Sequence, residues 1–114
     1  MKLESLPKDI VIRHRDDFQV LFESGKRLAG KYVYLIYLPL AGKTESIKIG
    51  FVCGKKIVHA VQRNRYRRLM REIVRKNKRS FAGFRTLIVA QPAIIKSHHD
   101  SLEAEILSLA QKLK

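Results

Sequence analysis

The sequence predicts a single α+β or α/β sandwich, and three features of it do so. Segments with helical spacing alternate with runs of β-branched and aromatic residues, in the order helix, two or three strands, helix, strand, helix. Glycine and proline stand at the joins between them. The last segment is amphipathic, with one apolar stripe to lay against a sheet. At 114 residues there is material for one hydrophobic core, so residues 1–114 form one domain.

Taken in order, residues 16–24 (DDFQVLFES) read as a short helix with Phe18 and Phe22 four apart, stopped by Gly25. Residues 31–40 (KYVYLIYLPL) read as a strand that ends near Pro39. A turn over residues 41–45 leads into a second strand, 46–54 (SIKIGFVCG), and the two are expected to pair as a hairpin. Residues 59–79 read as a long helix. Residues 85–91 (RTLIVAQ) read as a buried strand bounded by Gly83 and Pro92. From about Asp100 to Leu113 the stripe Leu102, Ile106, Leu109 and Leu113 marks a final helix, with Asp100 and Glu103 spaced like a capping box.

Charge is the unusual quantity. The chain carries 24 Lys+Arg against 10 Asp+Glu, a formal net charge of +14. A field of that size repels itself, and its usual reason is a polyanionic partner, most often nucleic acid. The apolar runs fall far short of a membrane span. Residues 1–9 (MKLESLPKD) lack the apolar centre of a signal peptide. With one cysteine, Cys53, there is no internal disulfide, and a reducing cytoplasm is the expected compartment.

The charge is also localised. Residues 59–79 hold nine basic side chains and one acidic, net +8 of the total +14. Wound at about 100° per residue, Tyr66, Leu69, Met70, Ile73 and Val74 share one face. Beside them Asn64, Arg67, Arg68, Arg71 and Arg75 make a basic ridge flanked by Arg63, with Arg65 on the far side. Like charges four apart destabilise a helix by a few tenths of a kcal/mol per pair, and only Glu72 is near enough to offset them. Arginine, which dominates here over lysine, forks to phosphate and stacks on bases. The bland alternative is a solvated helix face. Such faces normally mix both signs, which this one does not.

The segment Gly54-Lys-Lys-Ile-Val-His-Ala-Val-Gln-Arg-Asn-Arg-Tyr-Arg-Arg-Leu-Met-Arg-Glu72 resembles the signature of the bacterial ribonuclease P protein family. Asp17-Phe18-Gln19, Phe22 and Gly25 resemble that family's first helix, so the likeness covers nearly the whole chain. It implies the order α-β-β-β-α-β-α, a small mixed sheet packed on helices, and a left-handed βαβ crossover. It assigns binding of the catalytic RNA to Arg63, Asn64, Arg65, Arg67, Arg68 and Arg71, with Lys55 and Lys56 beside them as phosphate contacts. It assigns the single-stranded 5′ leader of precursor tRNA to a cleft lined by Phe18, Phe22, Tyr34, Ile36 and Val52. Ile36 stands where the family often has tyrosine, Val52 and Gly54 where serine is common, and Val58 where glycine is frequent. Aromatic side chains on a basic sheet stack bases with little sequence preference, as a variable leader requires. The same aromatics could instead be core.

No active site is legible in the chain itself. Asp16 and Asp17 point about 100° apart on a helix, a poor metal pair whose natural role is favourable charge at a helix start. His98-His99 has no further ligand at metal spacing, His14 and His59 stand alone, and Cys53 fits a small core position. The resemblance implies that the RNA subunit, with Mg²⁺, performs the hydrolysis. It also implies one protein per RNA, and leaves open whether the holoenzyme dimerises. The rival reading is a ribosomal or other structural RNA-binding protein with no processing role. A DNA-binding helix and a protein nuclease are weaker alternatives.

Overall fold

The structure is a computed structural model, and it describes residues 10–12, 14–40, 47–54 and 60–113. Helix α1 spans Arg15–Ser24 and strand β1 Lys26–Ala29; β2 follows over Val33–Pro39 and β3 over Lys48–Val52. Helix α2 is Ala60–Lys76, β4 is Phe84–Ala90 and α3 is His99–Ala110, with single 3₁₀ segments on either side of β4. One four-stranded mixed sheet holds the strands in the order β1-β2-β4-β3.

The expected hairpin between the strands now called β2 and β3 does not form. β4 lies between them, antiparallel to β2 and parallel to β3. The reason is in β4 itself, where all five residues from Thr86 to Ala90 are buried. A strand buried on both faces needs neighbours on both edges, and a paired β2–β3 would leave it exposed along one. The parallel β3–β4 pair then requires a long crossover, which α2 supplies. The third expected strand is β1, a short, mostly exposed edge strand paired antiparallel with β2. Its sequence, Lys-Arg-Leu-Ala, carries little β-propensity, which is why the residues alone left it open. The turn at 41–45 lies outside the described residues, apart from which the remaining elements fall within one to three residues of the expected bounds.

The pleat divides the core in two. On one face Val33, Leu35, Tyr37, Ile49 and Ile88 pack with Met70, Ile73 and Val74 of α2 and Leu102, Ile106 and Leu109 of α3. On the other, Ile36, Leu87 and Val89 pack with Ile12 and with Leu21 of α1, and Phe18, Tyr34, Leu38 and Val52 border them. Gly83, before β4, holds φ at 87°, a conformation glycine adopts without strain. The start of α3 also differs from expectation. The His98 N–H donates to Ser101 Oγ at 3.0 Å, so His98 and Ser101 occupy the capping positions in place of Asp100 and Glu103.

One carboxylate joins α3 to the sheet. The backbone N–H groups of Lys31, Tyr32 and Val33 all donate to Glu105, at 2.7, 2.7 and 2.9 Å. The turn between β1 and β2 thereby finds partners for three donors, and Gln91 Nε2 donates to the carbonyl of Gly30 from the other side at 2.6 Å. Hydrogen bonds to a charged acceptor are stronger than neutral ones, and removing it orphans all three donors. Glu105→Ala should therefore lower unfolding free energy by about 2–3 kcal/mol, with Glu105→Gln intermediate, as read from urea denaturation. A change under about 0.5 kcal/mol would show that solvent replaces the carboxylate without loss.

Candidate nucleic-acid interface

Helix α2 presents two unlike faces because its apolar residues recur three and four apart. Met70, Ile73 and Val74 are buried against the sheet and α3, and Tyr66 and Leu69 are half-buried beside them. That anchoring turns the arginines outward. Asn64, Arg67, Arg68 and Arg71 line one open concavity of about 210 Å³. Arg71 is held over the ring of Phe51 in β3, with 5.8 Å from its guanidinium carbon to the ring centroid. A planar cation braced against an aromatic face keeps its N–H donors pointed at solvent.

Arg75 leaves the expected ridge. Its Nε donates to Glu72 Oε2 at 2.9 Å and its Nη2 to Oε1 at 2.5 Å, while Lys76 lies 4.0 Å from the same carboxylate. The hydrogen bond from Arg75 holds the Glu72 carboxyl below its usual range, with the charges of Arg75, Lys76 and His99 adding to it. The one acid of the helix is thus committed at its C-terminal end. Among the described residues no carboxylate lies within ion-pair distance of Arg67, Arg68 or Arg71.

Cys53 follows the last residue of β3. It is buried, which pushes its thiol up, and the positive charges of Arg67 and Arg63 oppose that shift. Arg65 is exposed. Lys55 and Lys56, the expected phosphate contacts, lie outside the described residues, as do Val58 and His59.

The second group of expected residues gathers on the opposite face of the sheet. Tyr34, Val89 and Val52 are register partners across β2, β4 and β3 and form one row beside α1. Phe18 borders the same cluster, and a Cβ added at Gly50 would stand 3.3 Å from its ring edge. The same Cβ would stand 2.6 Å from Leu87 and 3.2 Å from Ile12, so the bare glycine lets Leu87, Ile12 and Phe18 close together over β3. Phe22 is 40% exposed, one turn further along α1. Ile36 departs from its expected role: it is fully buried under α1 and supports the groove from beneath without surface to offer.

Asp17 of α1 lies 3.6 Å from Arg85 of β4, an ion pair that ties the helix to the sheet. The two surfaces approach each other at the end of β3, where Val52 belongs to the groove and Cys53, the next residue, to the arginine side. Leu38, Val89 and Arg27 also belong to the α1 face, and sequence reasoning missed them. The first two became legible only through the register with β4, which the expected hairpin had hidden. Among the described residues no three His, Cys, Asp or Glu side chains are grouped to hold a metal ion.

The division of arginines gives a test. Arg67→Ala and Arg71→Ala should each weaken binding to structured RNA and reduce the slope of log K against log salt by about 0.7–0.9. Arg75→Ala should change the slope much less, because Glu72 already neutralises that guanidinium. Filter binding across a KCl series reads both, and equal slopes for all three variants would sink this division.

Comparisons with known proteins give the family and the fold. The family model for ribonuclease P matches residues 6–114. A ribonuclease P protein component from a Synechococcus strain is 34% identical over 111 residues, covering 94% of this chain and 84% of that one. The component from Syntrophomonas wolfei is 34% identical over 113 residues, covering 94% and 89%. In fold, the chain is similar to the ribonuclease P protein of Staphylococcus aureus, with a TM-score of 0.80 at 18% identity over 90% of this chain and 93% of that one. The Thermotoga maritima protein gives 0.79 at 24% identity, over 90% and 96%. With a family model spanning almost its full length, this chain belongs to the ribonuclease P protein family, the protein subunit of that tRNA-processing endoribonuclease.

Proposed function

We propose that the chain works by binding two RNA elements at once, through the two surfaces described above. The arginine face of α2, with Arg63, Asn64, Arg65, Arg67, Arg68 and Arg71, engages the catalytic RNA subunit, and Lys55 and Lys56 extend it. The groove beside α1 holds the single-stranded 5′ leader of precursor tRNA against Phe18, Tyr34 and Val52, with Phe22 at its rim. The observation that carries this reading is the sorting of charge on α2: its apolar spine is buried, its acid is paired with Arg75, and three arginines with one amide are left around an open concavity.

The hydrolysis itself is assigned to the RNA subunit with Mg²⁺, cleaving the phosphodiester to release the leader and leave a 5′ phosphate on the tRNA. Among the described residues no three His, Cys, Asp or Glu side chains are grouped to hold a metal ion, and Asp17 is engaged by Arg85. What the protein contributes is charge neutralisation and positioning. Arginines let phosphates of RNA and substrate approach that would otherwise repel, and a held leader places the scissile bond. Family membership disfavours the ribosomal alternative. No helix among the described residues is long and apolar enough to cross a membrane, and we place the complex in the cytoplasm, with one protein per RNA.

The test is cleavage of a precursor tRNA by bacterial ribonuclease P RNA at low Mg²⁺, with and without this protein. Addition should restore 5′ processing, and the double variant Arg67→Ala with Arg71→Ala should lose most of that gain. Binding to the RNA without any promotion of cleavage would restore the structural-RNA-binder reading. Sizing of the assembled holoenzyme settles its stoichiometry and whether it dimerises.

A further inference from the structure

Arg27 shares the α1 face with the groove residues but has no role among them yet, and its surroundings are specific. It lies in β1 at the outer edge of the sheet, and its register partner is the buried Ile36, so the pleat sets it on the α1 face. Its guanidinium carbon stands 5.6 Å from the centroid of the Tyr34 ring. Arg27 is exposed, Tyr34 is half-buried, and no carboxylate lies within ion-pair distance of Arg27 among the described residues. The row that starts at Ala29 and runs through Tyr34 and Val89 to Val52 spans the four strands, about 14 Å at the usual strand spacing. One end of the row is Val52, whose neighbour Cys53 turns to the α2 face of the sheet, where the charges of Arg63 and Arg67 act on its thiol. Arg27 stands at the other.

A groove with an aromatic ring on its floor and a cation at its β1 end matches a single strand of RNA. Bases are apolar on their faces and the backbone carries one charge per nucleotide. We propose that Arg27 is a further RNA-contacting residue, which grips a phosphate of the leader whose base lies on Tyr34. In the free protein its guanidinium rests over the tyrosine, held by the ring's negative face. When a base takes the ring, the guanidinium turns to the adjoining phosphate and forks onto its oxygens. The proposal rests on the leader-binding reading of the groove and adds to it an anchor and a path: the strand passes from the Val52 end of the row, by way of Tyr34, to the β1 edge.

The experiment compares the assembled holoenzyme on precursor tRNAs whose leaders are shortened stepwise, with mature tRNA as the leaderless reference. Arg27→Ala is expected to weaken binding of the long-leader substrate roughly three- to ten-fold and to lower its salt slope by about 0.7, the loss of one phosphate contact on a single strand. The loss should vanish below a defined leader length and be absent for mature tRNA. Arg27→Lys should restore most of the salt slope, since the positive charge remains, and thereby separates charge from any effect on folding. If Arg27→Ala leaves the leader's contribution intact while Tyr34→Ala reduces it, the groove binds the leader and Arg27 has no part. If Arg27→Ala weakens leaderless and leadered substrates alike, its action is general electrostatics and the proposal fails. If the unaltered holoenzyme gains nothing from a leader of any length, the groove reading falls first, and Arg27 with it.

Discussion

The insertion of β4 between β2 and β3 is the constraint from which the rest of the architecture follows. Thr86 to Ala90 are all buried, so this strand contributes side chains to both halves of the core and must be paired along both edges. Antiparallel pairing to β2 and parallel pairing to β3 are what the chain order allows, and the parallel pair obliges the connection to leave the sheet and return. That connection is α2. The basic helix is therefore held against the sheet at a defined angle because it closes the core, and its apolar spine is fixed before any RNA arrives.

Two faces of one sheet then carry two kinds of surface. The face under α2 and α3 is closed: two helices cover it, and Glu105 ties α3 to the turn that joins β1 and β2. The face under α1 has a helix of 10 residues over four strands, and the row of Tyr34, Val89 and Val52 lies beside that helix, where Phe18 and Phe22 also stand. A short helix on a broad sheet leaves a groove by geometry alone. The ion pair between Asp17 and Arg85 fastens that helix to β4.

How much of this was legible in the sequence depends on the range of the information. Helical spacing in α2 sorted Met70, Ile73 and Val74 from Arg67, Arg68 and Arg71 correctly, because a helix face is a local property. The burial of β4 was legible in its run of apolar residues, but its partners were not. Strand pairing is set by the whole sheet, and the short span between β2 and β3 favoured a hairpin that the burial of β4 overrode. The groove suffered most from this. Ile36 was expected to line it and lies beneath it, with the buried Val89, which was not expected there, beside it; both are consequences of a register that only the assembled sheet defines. Arg27 carried no local signal at all, since one arginine in a weak edge strand is indistinguishable from solvent-facing charge until its neighbour Tyr34 is placed.

The acidic residues explain why the basic excess ends up concentrated. A net charge of +14 spread evenly would give solubility and weak attraction to any polyanion. Here the carboxylates are drawn into the fold. Glu105 caps a turn, Asp17 pairs with Arg85, Glu72 pairs with Arg75, and Glu103 accepts from Asn77 at 3.4 Å. Each such contact steadies the scaffold, and that of Glu72 also commits the one acid of α2 to Arg75, away from the arginine face. Repulsion among those arginines costs the helix something, and its buried spine offsets that cost. Stability and recognition are thus supplied by different residues of the same helix. Substitutions on the arginine face should therefore change RNA affinity while leaving the fold, and even its stability, largely as it was.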